Sequence, residues 1–269
     1  MATNEIPRLA VVICTGSYHS PAPYEPFRQA LESRGVEAYC PHRLTCDLKE
    51  LNVGNISNPD FDLGPPLQGY PSEIDDVQAM EKLLDKLINQ ESKPVLLGHS
   101  SGGIVAAQAA TPELQYKPRQ ANGHQGGVVG IFYVGAFVIP VGKSVHTFFQ
   151  PKEGPRFTPP FVQFHLTRYF FDDLNPEEAA KWTATLTTSP ISIGVLTNDP
   201  HSDLPCAYLA LDNDSTLRRK YREGMIAFQS QRGNVFTVYH AQSGHSPHLS
   251  WKDQLVSKVL EFTNQCQGR

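Results

Sequence analysis

A serine between glycines stands where a covalent reaction would need its nucleophile. The run Gly98-His99-Ser100-Ser101-Gly102 has the pattern G-x-S-x-G, with apolar runs on both sides, over 94–97 and 103–107. A buried strand that turns sharply into a helix would expose the Ser100 hydroxyl above a helix N-terminus. Because the same pattern also occurs in ordinary loops of glycine and serine, its interpretation depends on partners elsewhere in the chain.

A serine hydroxyl becomes a nucleophile when a base takes its proton and a carboxylate orients that base. His245 is the candidate base because its loop, 241–247, joins the last predicted strand to the last helix, at the carboxyl edge of the sheet. Asp212 and Asp214 both follow the preceding strand. We favour Asp214, since it lies just past the strand end, where a tight turn can aim it at the histidine. Asp212 would then cap or brace that turn.

A negative oxygen develops when the hydroxyl attacks a carbonyl, and two backbone N–H groups must stabilise it. Ser101, directly after the candidate nucleophile, is expected to supply one, and Ser17, in the turn 15–17 after the first strand, the other. His99 is expected to pack within the turn rather than to act as the base. The side chains expected to contact substrate are Tyr18, His19, His99 and His248. This chemistry requires no metal and no cofactor.

The elements that must position these groups alternate between strands and helices, which is typical of a doubly wound, mostly parallel α/β sheet. Continuous apolar runs predict strands that are buried on both faces, over 9–14, 36–40, 95–97, 127–134, 206–211 and 235–240. Apolar residues at helical spacing, together with capping and stop residues at the ends, predict helices over 24–34, 72–89, 101–110, 175–186 and 251–265.

Two long segments interrupt this alternation. Residues 41–71 are rich in proline, asparagine and glycine, and residues 141–204 form a helical cap insertion within a single domain spanning 1–269. Long loops between a strand and a helix are usually functional, so we expect both segments to form the substrate entrance. The predicted cap is rich in aromatic residues, namely Phe148, Phe149, Phe157, Phe161, Phe164, Tyr169, Phe170 and Phe171.

Composition narrows the choice of partners and compartment. The net charge is −4 and both signs are interspersed, so the sequence predicts neither a nucleic-acid partner nor a membrane surface partner. Residues 1–8 lack the apolar core of a secretion signal, and no run approaches about 18 apolar residues. The five cysteines form no C-x-x-C pair, which favours reduced thiols. We therefore expect a cytoplasmic monomer or homodimer that acts on a small molecule.

Taken together, these motifs resemble the α/β-hydrolase superfamily, and more narrowly its short branch of methylesterases and hydroxynitrile lyases. The turn 15–21 and the segments 135–140 and 176–182 are similar to that branch, and the likeness covers nearly the whole chain. Thr15 replaces the branch's usual histidine, and 41–71 is longer than in the branch. The resemblance implies the α/β-hydrolase fold with a helical cap and a Ser100–Asp214–His245 triad.

Two positions separate lyases from esterases in that branch. Hydroxynitrile lyases carry a lysine directly after the catalytic histidine and a threonine in the turn after the first strand, which we call the oxyanion turn (15–17 in this chain). At these two positions this chain has Ser246 and Gly16. The sequence therefore favours a serine hydrolase that cleaves an ester or thioester of a small apolar, polyketide-like substrate through an acyl-enzyme. The alternatives are assistance of cyclisation, C–C cleavage or product release in specialised metabolism, and a non-catalytic ligand-binding protein.

Overall fold

A sheet of six parallel strands forms the centre of the fold in the computed structural model, which describes residues 8–149, 167–190 and 193–267. The strands are β1 (Leu9–Cys14), β2 (Glu37–Tyr39), β3 (Lys93–His99), β4 (Gly130–Val134), β5 (Cys206–Leu211) and β6 (Phe236–Ala241). Their order across the sheet is β2-β1-β3-β4-β5-β6. The predicted doubly wound parallel sheet is confirmed.

The strand order places a topological switch point between β1 and β3. From β1 the chain moves outward to β2, then returns to the other side of β1 and continues from β3 to β6. In register, Cys14 pairs with Gly98 and His99 pairs with Val134, so the turns after β1, β3 and β4 leave the sheet at one edge. Ligands of open α/β sheets bind at such a switch point.

Helices cover both faces of the sheet because its central strands are apolar on both sides. Strand β5 is buried at every residue, whereas the edge strand β6 alternates between buried and more exposed residues. One face packs against α2 (Glu73–Ile88), α3 (Gly102–Ala109) and α8 (Arg219–Gln231), and the other against α1 (Glu25–Glu32) and α10 (Lys252–Gln267). Shorter helices are α4 (Tyr116–Ala121) and α9 (Pro247–Ser250).

Predicted strands 9–14 and 206–211 match the structure at both ends, and the other predicted strands differ from it by a few residues. Helix α8 is not among the helices that the sequence pattern predicts. Its buried side chains are Arg222, Met225 and Gln229, two of which are polar, so the apolar residues of the sequence do not mark its buried face.

The predicted cap lies between β4 and β5 and contains α5 (Val145–Phe149), α6 (Thr167–Phe170) and α7 (Pro176–Thr183). Helix α7 is shorter than the predicted 175–186, and Asn175 caps it by accepting a hydrogen bond from the Glu178 N–H. Of the predicted cap aromatics, Phe157, Phe161 and Phe164 lie outside the described residues. Those with described surroundings include Phe170 and Phe171, both buried.

The segment 41–71 is made mainly of turns and a 3-10 turn at Leu44–Cys46. Its first part packs into the protein, since Arg43, Leu51 and Val53 are buried, whereas most of 54–68 is exposed. All five cysteines are free thiols. Across the described ranges, no helix has the length and apolar character that crossing a membrane would require.

Candidate active site

The turn between β3 and α3 holds Ser100 in a left-handed backbone conformation, with a φ of 53°. Its N–H donates to the Val134 carbonyl at 3.3 Å, and its own carbonyl accepts from the Phe137 N–H at 3.0 Å. A Cβ atom on Gly102 would lie 2.0 Å from the Cys14 carbonyl oxygen, so only glycine fits there. The strained turn predicted from G-x-S-x-G is therefore present, and neighbouring strands fix it.

His245 and Asp214 form a hydrogen-bonded pair at the ends of β6 and β5. The His245 Nδ1 lies 3.0 Å from the Asp214 Oδ2, and both side chains are completely buried. The Asp214 Oδ1 accepts the N–H groups of Thr216 and Leu217 at 2.8 and 2.9 Å. Burial alone would raise the pKa of Asp214, but His245, the Leu217 N–H and Arg222 outweigh burial and lower it. The carboxylate thus stays ionised beside the imidazole.

The other nitrogen of His245, Nε2, is buried and has no hydrogen-bond partner in the described part of the chain. Because an ionised Asp214 can only accept, Nδ1 carries the proton and Nε2 has the free lone pair. The loop that carries His245 (the histidine loop, 241–247) is attached to the turn that carries Ser100 (the elbow, 98–102), since the His99 Nε2 donates to the His245 carbonyl at 2.8 Å. An imidazole in this tautomer can take a proton from a nearby hydroxyl.

Asp212, the alternative acid, faces away from this pair. Its carboxylate is half-buried and binds the His240 Nδ1 at 3.2 Å and the Gln242 Nε2 at 2.6 Å. These contacts brace the ends of β5 and β6. The structure therefore brings Asp214, and not Asp212, to His245.

The two residues expected to stabilise a negative oxygen are in direct contact. The hydroxyls of Ser17 and Ser101 lie 2.8 Å apart. Neither residue's backbone N–H has an acceptor among the described residues. The Gly16 N–H, in contrast, donates to the Tyr24 hydroxyl at 3.1 Å. The turn after β1 and the first turn of α3 thus present two free N–H groups from neighbouring residues, as stabilisation of an oxyanion requires.

His19 lies beside these groups as a neutral acceptor. Its Nδ1 donates to the Ser17 carbonyl at 2.8 Å, and its buried Nε2 has no partner within the described ranges. Burial lowers the pKa of His19 to about 4, with smaller contributions from His245 and Arg43 in the same direction. Its ring centroid is 5.1 Å from that of Phe170. His19 can therefore accept a hydrogen bond but carries no charge near neutral pH.

The remaining residues expected to contact substrate differ in what they can offer. Tyr18 is half-buried, and its ring stacks on Phe170 with centroids 6.3 Å apart. Burial lowers the pKa of His248 well below its ordinary value, and its ring stacks on Tyr24 at 4.1 Å. His99 uses Nδ1 for the Tyr24 hydroxyl and Nε2 for the His245 carbonyl. Both of its nitrogens are occupied, which fits the expected packing role within the elbow.

Several functional neighbours had no sequence signal. Arg222 lies 3.2 Å from the Asp214 carboxylate, but it sits in helix α8, which the sequence pattern does not predict. Asp173 in the cap accepts the Gly244 N–H at 2.6 Å and thereby holds the histidine loop. Arg43 and Asp76 form a buried ion pair behind the Ser101 hydroxyl. The contacts of Asp173 and Arg43 join residues at least 33 positions apart in the chain, so spacing does not reveal them.

Comparison with known proteins identifies the family of this chain. The model of the alpha/beta hydrolase family matches residues 11–258, which include the elbow, the Asp214 turn and the His245 loop. The chain belongs to the alpha/beta hydrolase family. This membership supports a hydrolytic activity. No group of His, Cys, Asp and Glu side chains in the described ranges is arranged to hold a metal ion.

This alpha/beta hydrolase family member matches its relatives over nearly their whole length. It is 23% identical to the alpha/beta hydrolase nvfD of Aspergillus novofumigatus, covering 93% of this chain and 94% of that protein. A pyrethroid hydrolase from Sphingobium faniae JZ-2 superposes with a TM-score of 0.66 at 18% identity, covering 95% and 96% of the two chains. The Arabidopsis methylesterase MES16 superposes with a TM-score of 0.65 at 16% identity, covering 94% of this chain and 98% of that chain. These structures share the fold.

Proposed function

We propose that the protein is a serine hydrolase that cleaves a carboxylic ester or thioester of a small apolar substrate. The buried pair of Asp214 and His245 is the observation that carries this proposal. It leaves the His245 Nε2 unprotonated, and His99 attaches the histidine loop to the strained turn that bears Ser100. This combination of nucleophile, base and orienting carboxylate is the one that acyl transfer requires.

In the proposed reaction, the Ser100 Oγ attacks the substrate carbonyl carbon while the His245 Nε2 takes the hydroxyl proton. The carbonyl π electrons move onto oxygen, and the N–H groups of Ser17 and Ser101 stabilise that oxyanion. Collapse of the intermediate breaks the bond to the alcohol or thiol, which leaves with the proton from His245. Water then attacks the acyl-enzyme while the His245 Nε2 takes its proton; the bond from the acyl carbon to the Ser100 Oγ breaks, Oγ takes that proton back, and the acid leaves. Asp214 stays ionised and orients the imidazole throughout.

The surroundings of the site favour an apolar substrate. Tyr18, Phe170 and the neutral His19 are packed together beside the oxyanion turn. A separate cavity of about 370 Å³ lies where the segment 41–71 meets the end of the cap, and its lining combines Tyr70 and Pro190 with the charged Arg43 and Glu73. The aromatic rings beside the oxyanion turn suit an aromatic or polyketide-like acyl group with few charges. The methylesterase and pyrethroid hydrolase among the structural neighbours support ester substrates of this kind.

Reaction with a fluorophosphonate probe tests the proposal without knowledge of the substrate. An activated serine is phosphonylated rapidly, whereas an unactivated one is inert. We expect one label per chain, on Ser100, no label in Ser100→Ala and almost none in His245→Ala. Ser92→Ala is the matched control and should label normally, because Ser92 is also buried but donates to the Arg8 carbonyl away from the site.

Hydrolysis of simple aryl esters provides the second measurement. If the folded wild-type protein resists the probe and cleaves no aryl ester between about pH 6 and pH 9, the hydrolase proposal fails. Ligand binding without turnover, or cyclisation or C–C cleavage of a pathway intermediate, would then take its place.

A further inference from the structure

A buried ion pair that the proposed reaction does not use lies directly behind the oxyanion turn. Arg43, from the segment after β2, is 3% exposed, and its Nε donates to the Asp76 Oδ2 at 2.8 Å. The Asp76 carboxylate also accepts the N–H and the hydroxyl of Thr45, at 3.0 and 2.7 Å. Asp76 therefore has several donors and holds the Arg43 guanidinium in one orientation.

The same guanidinium contacts both segments that supply the free N–H groups. The Arg43 Nη1 donates to the Ser101 hydroxyl oxygen at 2.7 Å and to the Thr15 carbonyl at 3.2 Å. The Ser101 hydroxyl in turn lies 2.8 Å from the Ser17 hydroxyl. One nitrogen of one side chain thus connects the turn after β1 to the first turn of α3.

We propose that Arg43, held by Asp76, is a positioning residue that fixes the spacing of the Ser17 and Ser101 N–H groups. This inference rests on the proposed hydrolase function and deepens it. It also gives the first part of the segment 41–71 a role, since Arg43 comes from that segment and reaches the oxyanion turn from behind.

Physical considerations favour positioning over stability as the reason for this pair. Removing two charges from water costs several kcal/mol per ion, so a buried ion pair is a weak source of folding stability. Burial disfavours the charge of Arg43, but Asp76 outweighs burial and keeps the pKa of Arg43 above its ordinary value. An error of about 1 Å in the placement of a reacting group costs about 100-fold in rate. A rigid cation between the two turns prevents such an error.

The test compares Arg43→Met, Arg43→Lys, Ser101→Ala and the double variant Arg43→Met/Ser101→Ala with the wild-type protein. Ser101→Ala keeps the backbone N–H and removes only the hydroxyl that Arg43 holds. Asp199→Asn is the matched control. It disrupts another charge cluster, which is less buried and is formed with His201 and Arg232, without touching the oxyanion turn. Circular dichroism and thermal unfolding establish that each variant folds.

Kinetics on an aryl ester and affinity for an aryl boronic acid, which forms a tetrahedral adduct on serine, provide the readouts. We expect Arg43→Met to lower kcat about 100-fold and Ser101→Ala about 10-fold, with KM changing less than about threefold. Boronic acid affinity should fall in parallel with kcat/KM. The double variant should be no slower than Arg43→Met alone, because both changes break the same connection. Arg43→Lys should recover part of kcat, and Asp199→Asn should keep kcat.

If folded Arg43→Met keeps the wild-type kcat and boronic acid affinity, the positioning role of Arg43 is overturned. The hydrolase proposal still holds in that case, because the wild-type protein turns over the ester. If Arg43→Met does not fold, a wild-type kcat in Ser101→Ala overturns the positioning role equally. Additive losses in the double variant would also contradict it. Absence of labelling and turnover in the wild-type protein would instead refute the proposed function, and this inference with it.

Discussion

The Tyr24 hydroxyl lies 2.6 Å from the His99 Nδ1 and also accepts the Gly16 N–H at 3.1 Å. The His245 carbonyl can only accept, so the His99 Nε2 carries the proton of the neutral ring and the His99 Nδ1 accepts the proton of the Tyr24 hydroxyl. A continuous chain of hydrogen bonds thus runs from the oxyanion turn, through the elbow, to the histidine loop. All three segments are positioned relative to one another by groups that need not touch substrate.

Removing this hydroxyl tests the chain. In Tyr24→Phe, the Gly16 N–H and the His99 Nδ1 both lose a buried partner, which should reduce the free energy of unfolding by about 1–3 kcal/mol. We expect kcat on an aryl ester to fall about tenfold, because the turn and the histidine loop lose their connection. Tyr239→Phe is the control, since that ring is also buried but its hydroxyl meets Glu261 away from the site. Equal kcat values in the two variants would contradict this role.

The two aspartates after β5 should behave differently. Asp214→Asn should lower kcat by about 1,000-fold or more, since an amide at this position favours the wrong tautomer of His245. Asp212→Asn should retain most activity, because Asp212 contacts His240 and Gln242 instead. Steady-state kinetics on one aryl ester distinguishes the two. A loss in Asp212→Asn as large as that in Asp214→Asn would reverse the assignment.

The buried histidines should make the fold sensitive to acid. The folded-state pKa of His19 is about 4, against an ordinary value of 6.5, so between these pH values the unfolded chain binds the proton that the folded one excludes. Stability therefore rises with pH across this interval, by about 3 kcal/mol for such a histidine. His248, whose pKa is also lowered, adds in the same direction. Urea unfolding at a series of pH values measures the slope.

The variant His248→Phe keeps a ring stacked on Tyr24 and removes one titrating group, so it should flatten this slope. Ser92→Ala is the control because it changes a buried side chain that has no ionisable group, and its slope should equal that of the wild-type protein. A slope unaffected by His248→Phe would show that His248 does not contribute.

Shortening the exposed part of the segment 41–71 tests its role at the substrate entrance. Replacing 55–67 with a short Gly/Ser linker keeps Arg43, Leu51 and Val53, and should leave unfolding cooperative. We expect KM for bulky aryl esters to change several-fold while kcat for a small acetate ester stays close to wild type. A Gly/Ser replacement of equal length separates composition from length. Identical kinetics on every ester would assign the segment no part in substrate access.

The local sequence by itself determined the framework. The apolar runs of β1 and β5 and the glycines of the elbow follow from nearest-neighbour constraints on strands and tight turns, whereas the chain order Ser100, acid, His245 is what the resemblance to the α/β-hydrolase superfamily implies. These constraints act over a few residues, so they are visible without the fold. The predicted strands also indicated which loops would meet, because parallel strands present their carboxyl ends at one edge of the sheet.

Only the tertiary structure decided how the side chains around that framework pair. It brought Asp214 rather than Asp212 to His245, placed Arg222 from the unpredicted helix α8 beside that carboxylate, and joined Tyr24 to His99. It also placed Arg43 against Ser101, a residue 58 positions away in the chain. Such contacts depend on the packing of separate elements in space, because a buried polar group is stable only where a distant segment supplies its partner.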